Sequence, residues 1–272
     1  MGKNTTLALA ILLALGIWAT SPAAQTISDC GEVTDPGTYT VTTDITAPAD
    51  TNCITISASG VAIDLQGHTI RGSGFSSGIF GRGGQHIIIA NGTITGFNQN
   101  INLEADFLSI SNIIVTNAGF SGITNNSGNF TVVTDVQANN TGVHGIYFYG
   151  NNNTVIDSTA SDNGHYGIAF LQESNTNTVI DSTANGNGLG GMFFANGNST
   201  VIGSTANENT SDGIFIGGSN NVLTDNTANG NTSQGISVVC PSNLYGNAAQ
   251  GNPGGNLVTA GTGCVLLDND AL

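Results

Sequence analysis

Residues 141 to 238 repeat one short pattern four and a half times, and a repeat of this length limits the possible folds more than any other feature of the chain. Gly145, Gly167, Gly191, Gly213 and Gly235 open successive copies, at spacings of 22, 24, 22 and 22 residues. A unit this short cannot bury a hydrophobic face alone, so it must stack on its neighbours as a solenoid. The copies lack the several leucines per period of a leucine-rich repeat. They are also dominated by Asn, Gly, Thr and Ser, which disfavours helical repeats.

Short alternating strands recur instead. After each opening glycine an apolar residue (Ile146, Ile168, Met192, Ile214, Ile236) and a second one two places on (Phe148, Phe170, Phe194, Ile216, Val238) frame a variable residue. That period of two marks a strand with one buried face. Val155, Val179, Val201, Leu223 and Leu244 form a further column, Ala160, Ala184, Ala206, Ala228 and Ala249 another. A polar turn then carries Asn163, Asn187, Asn209, Asn231 and Asn252, whose amides can donate and accept along a stack. These columns predict an all-β parallel β-helix with coils of about 22–24 residues.

The pattern N-x-V-x-x-N-x-A-x-x-N-x-x-x-G-I, met loosely in Asn221 to Ile236, resembles the single-stranded right-handed parallel β-helix repeats of the pectate-lyase-like superfamily. Its NosD-like periplasmic group is the nearest in pattern. The resemblance implies a lateral groove crossed by outward residues of several coils. It also opens two functional alternatives: a polysaccharide lyase, hydrolase or epimerase, or a NosD-like periplasmic metal-maturation accessory. The chain lacks an Asp-Pro-His-Asp element like that of the alginate epimerases, and the paired Asp and Gly-His-Gly set of the polygalacturonases.

The organisation expected is a signal peptide over 1–24, an N-terminal cap and first coil over 25–57, β-helix repeats over 58–252 and a C-terminal cap over 253–272. Lys3, the apolar run Leu7 to Trp18 and the small residues before Ala23-Ala24 carry the first assignment. They predict a secreted or periplasmic protein with no membrane span in the mature chain. Cys30 and Cys53 are 23 residues apart, Cys240 and Cys264 are 24 apart. Each spacing is about one coil, and neighbouring coils lie ~4.8 Å apart, within disulfide range. Two disulfides stapling the first and last coils follow, in an oxidising compartment.

The formal charge is −15, with 18 acidic residues against Lys3, Arg71 and Arg82. Such a surface repels nucleic acid and disfavours polyuronates without a bridging cation. Arg71 and Arg82 are expected one coil apart and are the only basic groups a lyase groove could use. From Gly78 the register is expected to run through Asn100, Gly122 and Gly145, and the bulky stretches His86 to Ala90 and Phe107 to Ser111 to make this half the denser core.

Three outward columns are candidates for chemistry. Tyr147, Ala169, Phe193 and Phe215 stand between the buried apolar columns, so their rings either stack on the sugars of an extracellular polysaccharide or cell-surface component or lie under a loop or a second copy. His144, Tyr166, Gly190 and Asp212 precede the opening glycines. His144 beside Tyr166, with His165 and Asp162 nearby, has the makings of a general base and acid, or of a hydrogen-bonded surface feature. Asp157, Asp181, Gly203 and Asp225 form an acidic column that either binds Ca²⁺ or caps turns. One mature Met, Met192, and four scattered His make no soft-ligand cluster for copper. The reading is a non-catalytic carbohydrate-binding or surface and envelope element.

Overall fold

A computed structural model describes residues 24–171 and 174–271; the expected signal peptide lies outside them but for Ala24. The chain is a right-handed parallel β-solenoid of about 11 turns, with no helix among the described residues. Each coil lays down three short strands, and each strand pairs in parallel with its counterparts one coil away. On the first face Ile146, Ile168, Met192 and Ile214 are in register. On the second, Val155, Val179, Val201 and Leu223 are. The third face narrows from Gln137–Asn139 to single bridges through Thr159, Thr183, Thr205 and Thr227.

The columns read from the sequence are the core. Ile146, Phe148, Val155 and Ala160, with their equivalents in later coils, are almost wholly buried. In three successive coils this column carries a ring, Phe148, Phe170 and Phe194, the last two stacked at 4.8 Å. The expected register of Gly78, Asn100, Gly122 and Gly145 is present in the pairing.

Three corners join the faces, and each is lined with buried polar side chains. At the corner before the opening glycine, the Asn163 amide donates to Asn187 Oδ1 (3.1 Å), Asn187 to Asn209 (3.0 Å), Asn209 to Asn231 (2.9 Å) and Asn231 to Asn252 (3.1 Å). The other two corners were not anticipated. At one, the Asn153 N–H donates to Asn177 and the Asn221 amide to Ser242; at the other, the Ser158 N–H donates to Ser182 and the Asn226 amide to Asn247. These side chains satisfy backbone N–H groups that a sharp turn leaves unpaired, and burial makes that pairing obligatory.

Both disulfides are formed, Cys30–Cys53 with Cα atoms 4.4 Å apart and Cys240–Cys264 with 5.0 Å. They fit a location outside the reducing cytoplasm. No helix among the described residues is long and apolar enough to cross a membrane. Beyond Gly254 the ladders continue: Gly255–Ala260 pairs with Gln234–Val239, and Val265–Leu267 with Asn243–Tyr245.

Two expectations are corrected. Arg71 and Arg82 are not one coil apart: Arg71 stands in register with Thr46 and Thr95 on one face, Arg82 with Glu104 on another. Nor are the bulky residues of the N-terminal half all inward. Ile87, Ile89, Leu108 and Ile110 are buried, but Phe107 is 40% exposed at a turn. Alternation from Leu103 and Ala105 would put Phe107 inside, but its left-handed backbone (φ 55°) turns the chain and resets the alternation, so Leu108 and Ile110 face inward instead.

Candidate functional site

The side of the first face carries a continuous strip of rings. His144 stacks on Tyr147 (centroids 4.7 Å, planes 11° apart) and, one coil on, on Tyr166 (5.6 Å, 4°). Tyr166 stacks on Phe193 (4.7 Å) and Phe193 on Phe215 (5.4 Å, 9°). Thus the aromatic and the His-Tyr columns merge. Tyr147, Ala169 and Phe193 share one outward register, where Ala169 has no ring to offer. Tyr166, from the neighbouring column, bridges that coil by contacting both His144 and Phe193, and Ala169 is fully buried. The rings support one another, so the expected exposed strip is half-buried.

The centroid spacing of about 5 Å follows the ~4.8 Å spacing of neighbouring coils, so the strip is a ladder with one ring per coil from His144 to Phe215, and Tyr166, Phe193 and Phe215 are each partly exposed. Beside Tyr166, Phe193 and Phe215 a recess of about 190 Å³ opens, completed by Ser211 and Asp212. Asp212 is fixed there by accepting the Gln234 N–H (2.9 Å). Its link to the site came from its column alone.

Burial sets the protonation of the strip. His144, only 7% exposed, is depressed to about 4, chiefly by burial and then by neighbouring His165. Its Nδ1 accepts the Tyr166 N–H (3.4 Å), which leaves the neutral ring's proton on Nε2. His165 lies edge-on to His144 at 5.0 Å and is lowered by burial, and its buried Nδ1 has no partner. Tyr166 is raised by burial and then by the Asp212 carboxylate. Tyr147, whose hydroxyl donates to Tyr149 (2.8 Å), is raised by burial and by that bond. Near neutrality the strip is uncharged apart from Asp212.

This predicts an acid-sensitive fold. The unfolded chain takes up a proton on His144 near the ordinary 6.5, the folded chain only near 4. Stability is thus intact above about 6.5 and is lost as pH falls from there to about 4, by on the order of 3 kcal/mol. Urea midpoints across that window should fall for the native chain. They should fall less for His144→Phe, which keeps a ring facing Tyr147 and Tyr166 without the titration. Equal slopes would remove His144 as the cause.

The remaining candidates lie elsewhere. Asp162 sits exposed at a turn with φ 57°, in a shallow polar trough of about 650 Å³ lined by Gly142, Gly164, Gly186 and Gly188 among others. The acid whose field reaches Tyr166 is Asp212, not Asp162. Asp157, Asp181 and Asp225 share a left-handed turn column (φ 48°, 48° and 55°) with Gly203. That conformation favours Asp, Asn and Gly for steric and local hydrogen-bonding reasons. A Cβ on Gly203 would meet Asp181 Oδ1 at 2.3 Å, and one on Gly246 would meet Asp225 Oδ1 at 2.3 Å. Glycines thus stand beside Asp181 and Asp225, whereas Asp157 lies between Asp135 and Asp181 and is raised by burial and then by those two charges. Among the described residues no group of three or more His, Cys, Asp or Glu could hold a metal ion. His68 contacts Asp44 (3.3 Å) at a turn, and Arg82 is paired with Glu104 (3.4 Å).

A ring strip along the flank of a parallel solenoid gives a β-helix protein whose candidate site lies on its side. The chain belongs to the right-handed β-helix region family, which matches residues 118–271. No curated protein matches it. Among solved structures it is similar to the mannuronan C-5 epimerase AlgE4 A-module of Azotobacter vinelandii (16% identity, TM-score 0.56, 82% of this chain and 72% of that one). It is also similar to pectate lyase Pel9A (14%, 0.58, 88% and 71%) and the periplasmic alginate epimerase AlgG (11%, 0.55, 89% and 78%). At these identities the likeness is one of fold.

Proposed function

We propose that the ring strip from His144 to Phe215 binds an uncharged polysaccharide outside the cytoplasm without cleaving it. The observation that carries this reading is the ladder of partly exposed rings, one per coil. The apolar C–H groups of a sugar chain can lie against the exposed parts of these rings while its hydroxyls reach Ser211 and Asp212. Uncharged sugars fit best because Arg71 and Arg82 lie in N-terminal coils, and the ionised group beside the strip is the Asp212 carboxylate.

The catalytic alternative rests on His144 beside Tyr166. Its buried ring, with Nδ1 already accepting a backbone N–H, suits a packing role in the strip better than proton transfer to a substrate. One experiment separates the two: electrophoresis through gels containing neutral glucans or glucomannan, alginate or polygalacturonate, with calcium or chelator, alongside assay of new reducing or unsaturated ends. Retention by a neutral polymer, weakened about tenfold in Phe193→Ala, is the expected result. New chain ends would establish the enzyme and direct attention to His144, His165 and Tyr166.

A further inference from the structure

A second ring stack, on a different corner of the solenoid, belongs to none of the features above. His86, Phe107 and Phe130 lie one above another in successive coils, with centroids 4.9 and 5.1 Å apart and planes within 10° and 4°. Phe107 is 40% and Phe130 47% exposed. All three have left-handed backbones, with φ of 55°, 55° and 58°. That conformation is a marked outlier for a bulky aromatic residue.

The later coils show that the fold does not require rings at this position. The same turn column continues with Asn152, Thr176, Asn198 and Asn220, at φ of 57° to 63°, and there small polar side chains make the turn. These three coils carry backbone strain to hold rings that are partly in solvent, a pattern that marks sites maintained for binding rather than stability.

We propose that His86, Phe107 and Phe130 form a second binding platform for an uncharged polysaccharide, separate from the strip at Tyr166 and Phe193. Its geometry is the same ladder of rings at the coil spacing. Polar groups flank it: the Asp106 carboxylate accepts the Asn129 N–H (2.7 Å) and amide (3.1 Å), and Asn129 Oδ1 accepts the Asn151 N–H (2.8 Å). A polyanion finds little to bind there, since Arg82 is already paired with Glu104. A second copy of the chain is a poor occupant, because three partly exposed rings fall far short of the ~1,000 Å² a stable protein interface needs. Two platforms on one rigid rod let the protein hold two strands, or one strand at two places, with a gain in avidity.

The test is the double variant Phe107→Asn/Phe130→Asn, which installs the residue that this column uses in later coils. It is expected to melt at the same temperature as the native protein or higher, since the substitution relieves strain. Its retention in gels containing hydroxyethylcellulose or glucomannan is expected to fall about tenfold. Phe193→Ala, run beside it, separates the two sites. Loss in the double variant supports the second platform whatever Phe193→Ala does. Retention unchanged in the double variant but lost in Phe193→Ala overturns the second platform and leaves the first standing. A lowered melting temperature in the double variant also overturns it, because the rings would then be supporting the fold.

Discussion

Asn209→Ala is expected to destabilise the protein by about 3–5 kcal/mol, a large effect for one polar side chain. Asn209 Oδ1 accepts both the backbone N–H of Asn187 (2.9 Å) and its amide (3.0 Å). In the other direction the Asn209 amide donates to the Ala184 carbonyl (3.0 Å) and to Asn231 Oδ1 (2.9 Å). Alanine leaves two donors on Asn187 and the Ala184 carbonyl short of partners in a corner where Asn187 and Asn209 are fully buried. Each such group costs about 1–3 kcal/mol. Thr210→Ala, at the adjacent exposed position, should cost well under 1 kcal/mol by comparison. Urea unfolding followed by two spectroscopic probes gives the comparison and tests whether the coils unfold together. A loss below 1 kcal/mol for Asn209→Ala would show that water replaces the amide and that the ladder is not what holds this corner.

Gly213→Ala should be at least as damaging, by about 4 kcal/mol, although it adds a single methyl group. A Cβ there would stand 2.6 Å from the Asn231 amide nitrogen, 2.7 Å from the Ala206 carbonyl and 2.7 Å from the Gly235 carbonyl. Two of these three atoms belong to the backbone of the stacked coils and cannot turn aside. The glycine column is therefore the steric counterpart of the asparagine ladder. A double-mutant cycle tests that coupling: in an Asn231→Ala background the added cost of Gly213→Ala should shrink but persist, since both carbonyls remain. Full additivity of the two changes would mean that they act independently. Asn100 occupies the same column without a clash, and at the corresponding place in its own coil stands Ala118 rather than an asparagine.

The regular half of the chain was legible because each column keeps its chemistry from coil to coil. The repeated valines, alanines and asparagines mark inward positions whatever the exact coil length. The two further polar corners were harder to read because Asn153 is followed by Asn177 and then Ser199, and Ser158 eventually by Asn226. Serine and asparagine accept the same backbone N–H, so the role persists while the letter changes. In the N-terminal coils the period itself drifts: Ala62 pairs with Ile88, 26 residues on, whereas Ile79 pairs with Ile101, 22 on. Arg71 and Arg82 are 11 residues apart, half a coil by any such count, so their separate faces follow from the spacing itself; Phe107 is misplaced because its left-handed turn breaks the alternation of the strand. The candidate site was half visible. Adjacent coils put His144 beside Tyr166, but that Tyr166 would lean across Ala169 to meet Phe193 depends on side-chain direction, which spacing does not encode.

The three polar corners also set the unit in which such a protein can change. From Asn163 to Asn231 the asparagine amides of one corner donate to the asparagine of the coil after, and amides such as that of Asn209 also donate back to a carbonyl of the coil before, so each coil is tied to both neighbours at its corners. Removing or duplicating a whole coil, such as Gly191 to Asp212, brings Gly against Gly, Asn against Asn and ring against ring, and leaves all three corners closed. Removing part of one opens all of them together. Length along this solenoid is thus quantised, and with it the number of rings in each ladder: the reach of the protein along a polymer can be tuned by counting coils while the chemistry of each coil stays the same.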